Sequence, residues 1–399
     1  MIIKPLIRRN ICINAHPEGC AKDVERQIKY VQDKRKKRGA PKEAPKTVLV
    51  LGCSTGYGLA SRISAAFGFN ATTVGVSFEK EGTETKSGTP GWYNNMAFDK
   101  EAKAAGIKSI TFNGDAFSDA MRKQIADTAK ELGVKFDLVI YSLASGVRVD
   151  PDTGVLYRSV LKPLGGKAFS GKTIEMTTNK LETVSLEPAS AEETASTVKV
   201  MGGEDWERWI KQLTDMDVLA QGCKTIAYSY IGPELSHAIY RDGTIGAAKK
   251  HLENTANELS PFLKQKLGGD AFVSENKGLV TRSSAVIPII PLYLSVLFKV
   301  MKKNGTHEGC IEQMERLFNE RLYTGAAIPV DANRLIRIDD WEMDPKVQSE
   351  VIQILDSVTE ENLPQVADLK TFRHDFLATN GFDVEGVDYS KDVARMDTI

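Results

Sequence analysis

The sequence predicts an α/β fold, a doubly wound parallel sheet with additions at its start, middle and end, and three observations carry that expectation. Short, mostly apolar runs such as Thr47–Leu51 (TVLVL) and Phe136–Tyr141 (FDLVIY) recur along the chain. Stretches with a helical pattern, for instance Ser118–Leu132, separate most of them. A glycine cluster, Gly52-Cys-Ser-Thr-Gly56-Tyr-Gly58, joins the first apolar run to the helical stretch that follows it. Runs that are apolar along their whole length belong in a parallel sheet covered by helices on both faces.

Residues 1–45 read as an N-terminal extension with an irregular start and a helix near Ala21–Lys36. Cys12, His16 and Cys20 stand four apart, a spacing that fits no familiar zinc pattern, so a tight hairpin or turn is expected there and no metal. The basic run Lys34–Arg38 could contact phosphates, but Gly39 and Pro41 follow it, and it reads more readily as a solvated helix end. Strand Thr47–Leu51 leads through the glycine turn into a helix from about Gly58 to Phe67. Further strands are expected at Thr72–Phe78, Lys108–Phe112 and Phe136–Tyr141.

The segment 147–200 is polar and rich in Thr and Gly, with short strand-like runs, and reads as an insertion lying over the sheet. Alternation resumes with Thr225–Tyr230, a helix over Thr244–Leu259 and a strand at Ala271–Glu275. The rest, within 282–399, is mainly helical, with one short strand pair possible near Ile328–Ile338. The apolar stretch Ala285–Phe298 is too short for a bilayer and is interrupted by Pro288 and Pro291, so it reads as a buried or ligand-covering segment. No repeat or low-complexity linker divides the chain, and a single domain over 1–399 is expected.

Lys and Arg total 52 against 53 Asp and Glu, a net charge of −1, which gives no global footprint for nucleic acid or a membrane surface. The five cysteines are odd in number and scattered, and the first residues lack the apolar core of a secretory signal, so a reducing cytoplasm is the expected location.

The glycine turn is where a dinucleotide fits. Glycines permit the tight turn and let backbone N–H groups approach a pyrophosphate at the helix N-terminus, which points to the cluster Gly52-Cys53-Ser54-Thr55-Gly56-Tyr57-Gly58. The second strand ends in Phe78-Glu79; an acid there accepts from the adenosine ribose and repels a 2′-phosphate, which predicts NADH over NADPH. A solvated Glu79 is the plain alternative, since Lys80 and Glu81 follow it. Asp115-Ala116 closes the third strand, where the aspartate can meet the adenine amino group, and Leu143-Ala144 closes the fourth, leaving room on the nicotinamide side.

A hydride acceptor needs its developing negative charge stabilised. A Tyr O–H can donate to that oxygen, with a nearby Lys cation lowering the phenol pKa and holding the cofactor ribose. Tyr240 and Lys249 are the candidates, with Tyr230 upstream. Nine positions at helical pitch would place Tyr240 and Lys249 on opposite sides of one continuous helix, so the pair works only if the chain breaks near Gly243, with Thr244 opening the Lys249 helix. Buried tyrosines and helical lysines are common, and on residue types alone the pair stays open. His237 suits a structural or surface role, and Cys53, inside the glycine turn, is badly placed for nucleophilic work.

At these residues the sequence resembles the FabV-type trans-2-enoyl-CoA and enoyl-acyl-carrier-protein reductases, a branch of the short-chain dehydrogenase/reductase superfamily. NAHPEGC, GCSTGYGLASRI, GTPGWYNN, GDAFSD, VIYSLAS, VMGGEDWERWI, AYSYIGPE, FLATNGFDVEGVDY and the Tyr-x8-Lys spacing carry the resemblance over essentially the whole chain. It implies a Rossmann-type fold and NADH-dependent reduction of the C2=C3 bond of an enoyl thioester carried on coenzyme A or acyl carrier protein. Tyr240 would be the catalytic donor, Lys249 would bind cofactor, and Tyr230 would contact the substrate. Gly52 through Tyr57, Phe78-Glu79, Asp115-Ala116, Leu143-Ala144 and Leu279-Val280-Thr281 would line the NADH site. Ser145-Gly146 departs from the Ala-Pro or Ser-Pro of several members. The segment after the sixth strand, including 285–298, would form a lid over the acyl chain, and the long C-terminal region suggests a monomer. A carbonyl reductase acting on acyl thioesters and a non-catalytic dinucleotide-binding regulator are the competing readings; the Tyr-x3-Lys spacing typical of the first is absent, and an intact Tyr240–Lys249 pair argues against the second.

Overall fold

The protein is described by a computed structural model that covers residues 2–39, 41, 43–175, 178–284 and 287–393. Two short strands, β1 (Ile7–Arg8) and β2 (Ile11–Cys12), form the expected hairpin ahead of a helix over Pro17–Arg38. The helix begins before Ala21 because Pro17 sits in the first turn, where a missing N–H costs nothing, and His16 caps it, Nδ1 accepting the Gly19 N–H at 3.2 Å. The basic run 34–38 is the last turn of this helix. Arg35 and Arg38 donate to the carbonyls of Phe67 and Gly68 at 3.2 and 3.1 Å, while Lys36 and Lys37 are exposed, so the run is part tether and part solvated end.

The first strands of the main sheet are β3 (Thr47–Leu51), β4 (Thr72–Ser77), β5 (Ser109–Asn113) and β6 (Phe136–Tyr141), each close to its expected bounds. The mid-chain addition holds two antiparallel hairpins outside that sheet, β7 (Val147–Val149) with β8 (Leu156–Arg158) and β9 (Phe169–Glu175) with β10 (Lys180–Leu186). The sheet is completed by β11 (Leu219–Ser229), β12 (Asp270–Glu275) and β13 (Leu335–Arg337). Its order is β13-β12-β11-β6-β3-β4-β5, every pair parallel. Chain order reverses between β3 and β6, and the carboxyl ends of these strands flank the crevice in which open α/β sheets bind ligands.

Three expectations need correction. The strand pair near 328–338 is one strand: Pro329 has no N–H for a ladder, Arg334 is left-handed (φ 63°), and Asp331 Oδ1 turns the chain by accepting from Asn333 and Leu335 N–H. That strand, β13, extends the sheet edge instead of folding on itself. The helix expected to stop at Leu259 runs over Thr244–Leu267, through Pro261, because Leu259 and Leu263 are buried on either side of the proline and hold the turn; Gly268, left-handed at φ 62°, ends it. Pro291 does not break the following segment: it lies in the first turn of a helix over Ile290–Lys303, where proline is tolerated. Ala285 and Val286 of the lid segment lie outside the described residues.

Parts of the chain that are distant in sequence are pinned together. Asn380 Nδ2 donates to the carbonyls of Cys12 (3.2 Å) and Asn14 (2.7 Å), and the Asn380 carbonyl accepts the His16 N–H at 2.9 Å. Gly381 has φ +76° and approaches the Pro17–Arg38 helix so closely that a Cβ on Gly19 would stand 1.7 Å from the Gly381 carbonyl oxygen.

Candidate active site

The glycine turn joins β3 to a helix over Gly56–Ile63. Gly52 (φ +85°) and Gly56 (φ +54°) adopt backbone that other residues rarely take, and a Cβ on Gly58 would lie 1.9 Å from the Gly52 carbonyl oxygen. The amides of Gly52 and Cys53 are spent on the Val76 carbonyl at 2.8 and 3.1 Å. Thr55, the N-cap, makes no side-chain bond to the first turn, so the leading amides of the helix are left for an anion. Cys53 faces the sheet and is fully buried, its Sγ 2.6 Å from where a Cβ on Gly75 would stand. Tyr57 donates its hydroxyl to the Lys277 carbonyl and lies 3.1 Å from Gln313 Oε1, bracing the loop after β12 against the turn.

At the end of β4, Phe78 is 79 % exposed and the Glu79 carboxylate is held: Ser54 Oγ donates to it at 2.6 Å. Asn113, ending β5, clasps the Glu79 backbone, accepting its N–H at 2.7 Å and donating to its carbonyl at 2.9 Å. A Cβ on Gly91 would stand 2.1 Å from that carboxylate, so the glycine leaves the space that Glu79 occupies. Asp115 accepts the Phe117 N–H at 2.9 Å, and the Ala116 carbonyl accepts Trp209 Nε1 at 3.0 Å. Leu143 is half-buried and Ala144 exposed beyond β6. A cavity of about 360 Å³ has Thr55 and Gly56 together with Leu279, Val280 and Thr281 in its lining. These residues fit a dinucleotide: a glycine cradle that a Cβ would fill, an uncapped helix start, and an oriented carboxylate one strand away.

The other half of the site lies where β11 ends. Tyr230 and Tyr240 stack edge to face with ring centroids 4.8 Å apart. Tyr240 closes a short helix, His237–Tyr240, and the Lys249 helix starts afresh at Thr244 behind Gly243; the break the pair requires is present. Burial pushes the Tyr240 phenol well above its usual range, and Lys249 does not lower it, contrary to the expectation from the sequence. Lys249 Nζ donates to the Tyr228 carbonyl at 3.0 Å. Tyr240 belongs to an apolar cluster that gathers Ile3 and Cys12 from the N-terminal hairpin, Ile174 from β9, Leu294 and Phe298 from the Ile290–Lys303 helix, and Phe372 and Phe376 from the helix at Leu369–Ala378.

Sequence reasoning missed the polar floor under this pocket. Glu342 is fully buried and accepts from Tyr230 (3.0 Å), Tyr293 (2.6 Å) and the Gly278 N–H (2.6 Å). Burial raises its carboxyl. Lys277, 1 % exposed, is pulled down to about 8 by burial; it donates to the Gly278 carbonyl at 3.0 Å and lies 4.8 Å over the Phe298 ring. Glu342 stands among other acids in IDDWEMDP, and nothing in that pattern distinguishes it. Asn113 and Gly91 were discoverable only from the fold.

Comparison with known proteins agrees with this geometry. A family model described as the NAD(P)H binding domain of trans-2-enoyl-CoA reductase matches residues 2–84, and one described as the trans-2-enoyl-CoA reductase catalytic region matches 86–323. A third, described as an enoyl reductase FAD binding domain, matches 330–393. Among the described residues, that last region holds β13 and helices such as Pro345–Ser357 and Leu369–Ala378 but no strand–glycine–helix turn; Val347, Val351, Phe372 and Phe376 are packed into the apolar cluster, so these residues do not fit a flavin dinucleotide. The chain is 60 % identical to a trans-2-enoyl-CoA reductase (NADH) of Treponema denticola, covering all of both chains. It is 54 % identical to an enoyl-acyl-carrier-protein reductase (NADH) of Cytophaga hutchinsonii, covering 100 % of this chain and 99 % of that one. The crystal structure of the Treponema denticola enzyme in complex with NAD superposes with a TM-score of 0.96 at 59 % identity over the full length of both. That of a Clostridium acetobutulicum trans-2-enoyl-CoA reductase in complex with NADH gives 0.95 at 42 % identity, covering 99 % and 98 %.

Proposed function

The chain belongs to the trans-2-enoyl-CoA reductase family, and from that premise we propose how its own residues divide the work. The reaction is the NADH-dependent reduction of the C2=C3 double bond of a trans-2-enoyl thioester, on coenzyme A or acyl carrier protein, to the acyl thioester. NADH, when bound, supplies hydride to the β-carbon.

The turn Gly52–Tyr57 receives the pyrophosphate, chiefly through the amides that open the Gly56–Ile63 helix. Phe78, exposed at the strand end, offers its face to the adenine, Glu79 accepts from the ribose hydroxyls, and Asp115-Ala116, Leu143-Ala144 and Leu279-Val280-Thr281 line the remainder. Lys249 holds the nicotinamide ribose. Tyr240 keeps its proton at any working pH and donates a hydrogen bond to the thioester oxygen as that oxygen becomes an enolate. Tyr230, oriented by Glu342, bounds the thioester position. The apolar cluster excludes water from that centre and receives the acyl chain.

The observation that supports this reading is the break at Gly243, which frees Tyr240 and Lys249 from the opposite faces that one continuous helix would impose. The test is NADH oxidation with crotonyl-CoA by the intact enzyme and by Tyr240→Phe. Turnover undiminished in the variant would overturn the assignment of Tyr240.

Other features of the protein belong to the same reading. The N-terminal extension 1–45, the insertion 147–200, and the lid and helical C-terminal region 282–399 form one domain with the sheet; in support, Ile3, Ile174 and Phe376 share a cluster with Tyr240. The protein works as a cytoplasmic monomer; five free cysteines suit a reducing compartment.

A further inference from the structure

The end of β12 holds a charge that the mechanism above does not use. Glu275 pairs with Ser229 of β11 on one side and with Arg337 of β13 on the other, and its side chain is fully enclosed. Neither of its carboxylate oxygens has a donor in full hydrogen-bond geometry; the Ser229 hydroxyl is the polar neighbour that bears on it, and Asn276 Nδ2 beside it is unpartnered. A buried carboxylate left without a donor is expensive unless an opposite charge faces it.

The cation whose charge bears most on it is Lys249. That side chain donates to the carbonyl of Tyr228, the residue preceding Ser229 on β11, and among the described residues no carboxylate comes within ion-pair distance of its Nζ. Two acids bear on Lys249: Glu275 from β12, and Glu253 one turn along its own helix. Glu253 is already paired with Lys250 at 3.0 Å. Around Glu275 stand Lys249, Asp339, Glu253 and, on β13, Arg337. Arg337 is committed to Asp339 at 2.6 Å and to Asp331 at 3.4 Å. Lys249 is therefore the cation left for Glu275.

We infer that Glu275 is the counter-charge of Lys249, a positioning residue that keeps the ammonium protonated and in place for the cofactor ribose; this rests on the cofactor-binding role of Lys249 proposed above. The titration of the two groups agrees. Burial lowers Lys249, with Glu275 the largest opposing influence, and burial raises Glu275 to about 7, with Lys249 the largest opposing influence. Without the carboxylate, the desolvated ammonium would lose its proton at a lower pH, and with it the hydrogen bonds it donates.

The test is the pH profile of kcat/KM for NADH, with crotonyl-CoA saturating, in the full-length enzyme and in Glu275→Gln, Glu275→Met, Glu275→Asp and Lys249→Met, together with NADH affinity by fluorescence at each pH. Both neutral variants at 275 should match the parent enzyme at acid pH and lose activity about one unit earlier on the basic side, a difference of about tenfold where the parent still works. Glu275→Asp should restore the parental limb. Two neutral variants guard against one that folds poorly. A uniform drop at every pH, with the basic limb unmoved, would reduce Glu275 to packing and overturn the inference. Lys249→Met should weaken NADH binding throughout; if it binds NADH as the parent does, the cofactor reading itself fails, a result distinct from an unmoved limb.

Discussion

Tyr230 and Tyr240 meet edge to face, ring planes at 90° and centroids 4.8 Å apart, so the hydroxyl of one is anchored on Glu342 while that of the other is left for the pocket. On the proposed reading, the thioester oxygen would sit against the Tyr240 hydroxyl. Tyr240→Phe keeps the ring and removes only the donor; turnover should fall roughly a hundred- to a thousandfold, the usual loss for one oxyanion donor. NADH affinity should stay largely in place. Equal losses in NADH affinity and in turnover would mean that the phenol acts through the cofactor and not through the enolate.

Glu79 should set cofactor choice. Its carboxylate is held by Ser54, and in the proposed cofactor pose a 2′-phosphate would bring like charge beside it. Glu79→Ala should narrow the preference for NADH over NADPH on the order of tenfold or more, since juxtaposed like charges cost several kcal/mol. Steady-state kinetics with both nucleotides decide it, and an unchanged ratio would remove Glu79 from the site.

Gly58 is a steric requirement. A methyl group there would overlap the Gly52 carbonyl at 1.9 Å, backbone against backbone. Gly58→Ala should therefore cost about 1–3 kcal/mol and weaken NADH binding at the same time. Calorimetry and fluorescence titration would separate the two losses; a variant as stable as the parent would show that the turn can yield.

Removing Glu342 should be damaging, because it joins the chain beyond β11 to the chain beyond β12. Glu342→Leu leaves two tyrosine hydroxyls and the Gly278 amide without their acceptor and deprives the buried Lys277 cation of an opposing charge, a loss of about 3–5 kcal/mol. Denaturant unfolding reads it directly. Glu342→Gln should cost less, because it can still accept, and a Leu variant no worse than Gln would contradict the network.

The acid side of stability should follow His307. Burial lowers this histidine from its ordinary range to about 3, and its ring lies 4.5 Å from Phe298. Its folded-state pKa is depressed, so between pH 6.5 and about 3 the unfolded chain binds the proton and the folded chain does not, and stability falls as pH falls through that window. His307→Phe removes the titration and should flatten the decline in melting temperature; an equally steep decline would assign acid lability to other groups.

Much of this was legible in the sequence, for physical reasons. β3 and β6 lie in the middle of the sheet with both faces covered, so their runs are mostly apolar and their bounds match. The glycine turn was legible because positive φ and close backbone approach leave few residue types able to serve. Tyr240 and Lys249 were readable as a pair only conditionally, since the break at Gly243 is a local event that helical periodicity does not encode. Glu275, Lys277 and Glu342 were not readable at all. Buried charges look like surface charges in a sequence, and only the strands and loops that close over them reveal the difference. The edge strand β13 was misjudged because its partner is sixty residues away in a different part of the chain, roughly, and no hairpin signal marks such a pairing.

The clasp between Asn380 and the segment Cys12–His16 closes the chain into a ring in which the opening helix is held by residues made only after every strand of the main sheet. Synthesis therefore delivers the dinucleotide cradle early and the clasp late, and the pocket around Tyr240 closes only when both ends of the ring have met. During translation the nascent chain should recognise nucleotide before it can shelter an enolate, so that reductase activity begins as a single late event and not by degrees.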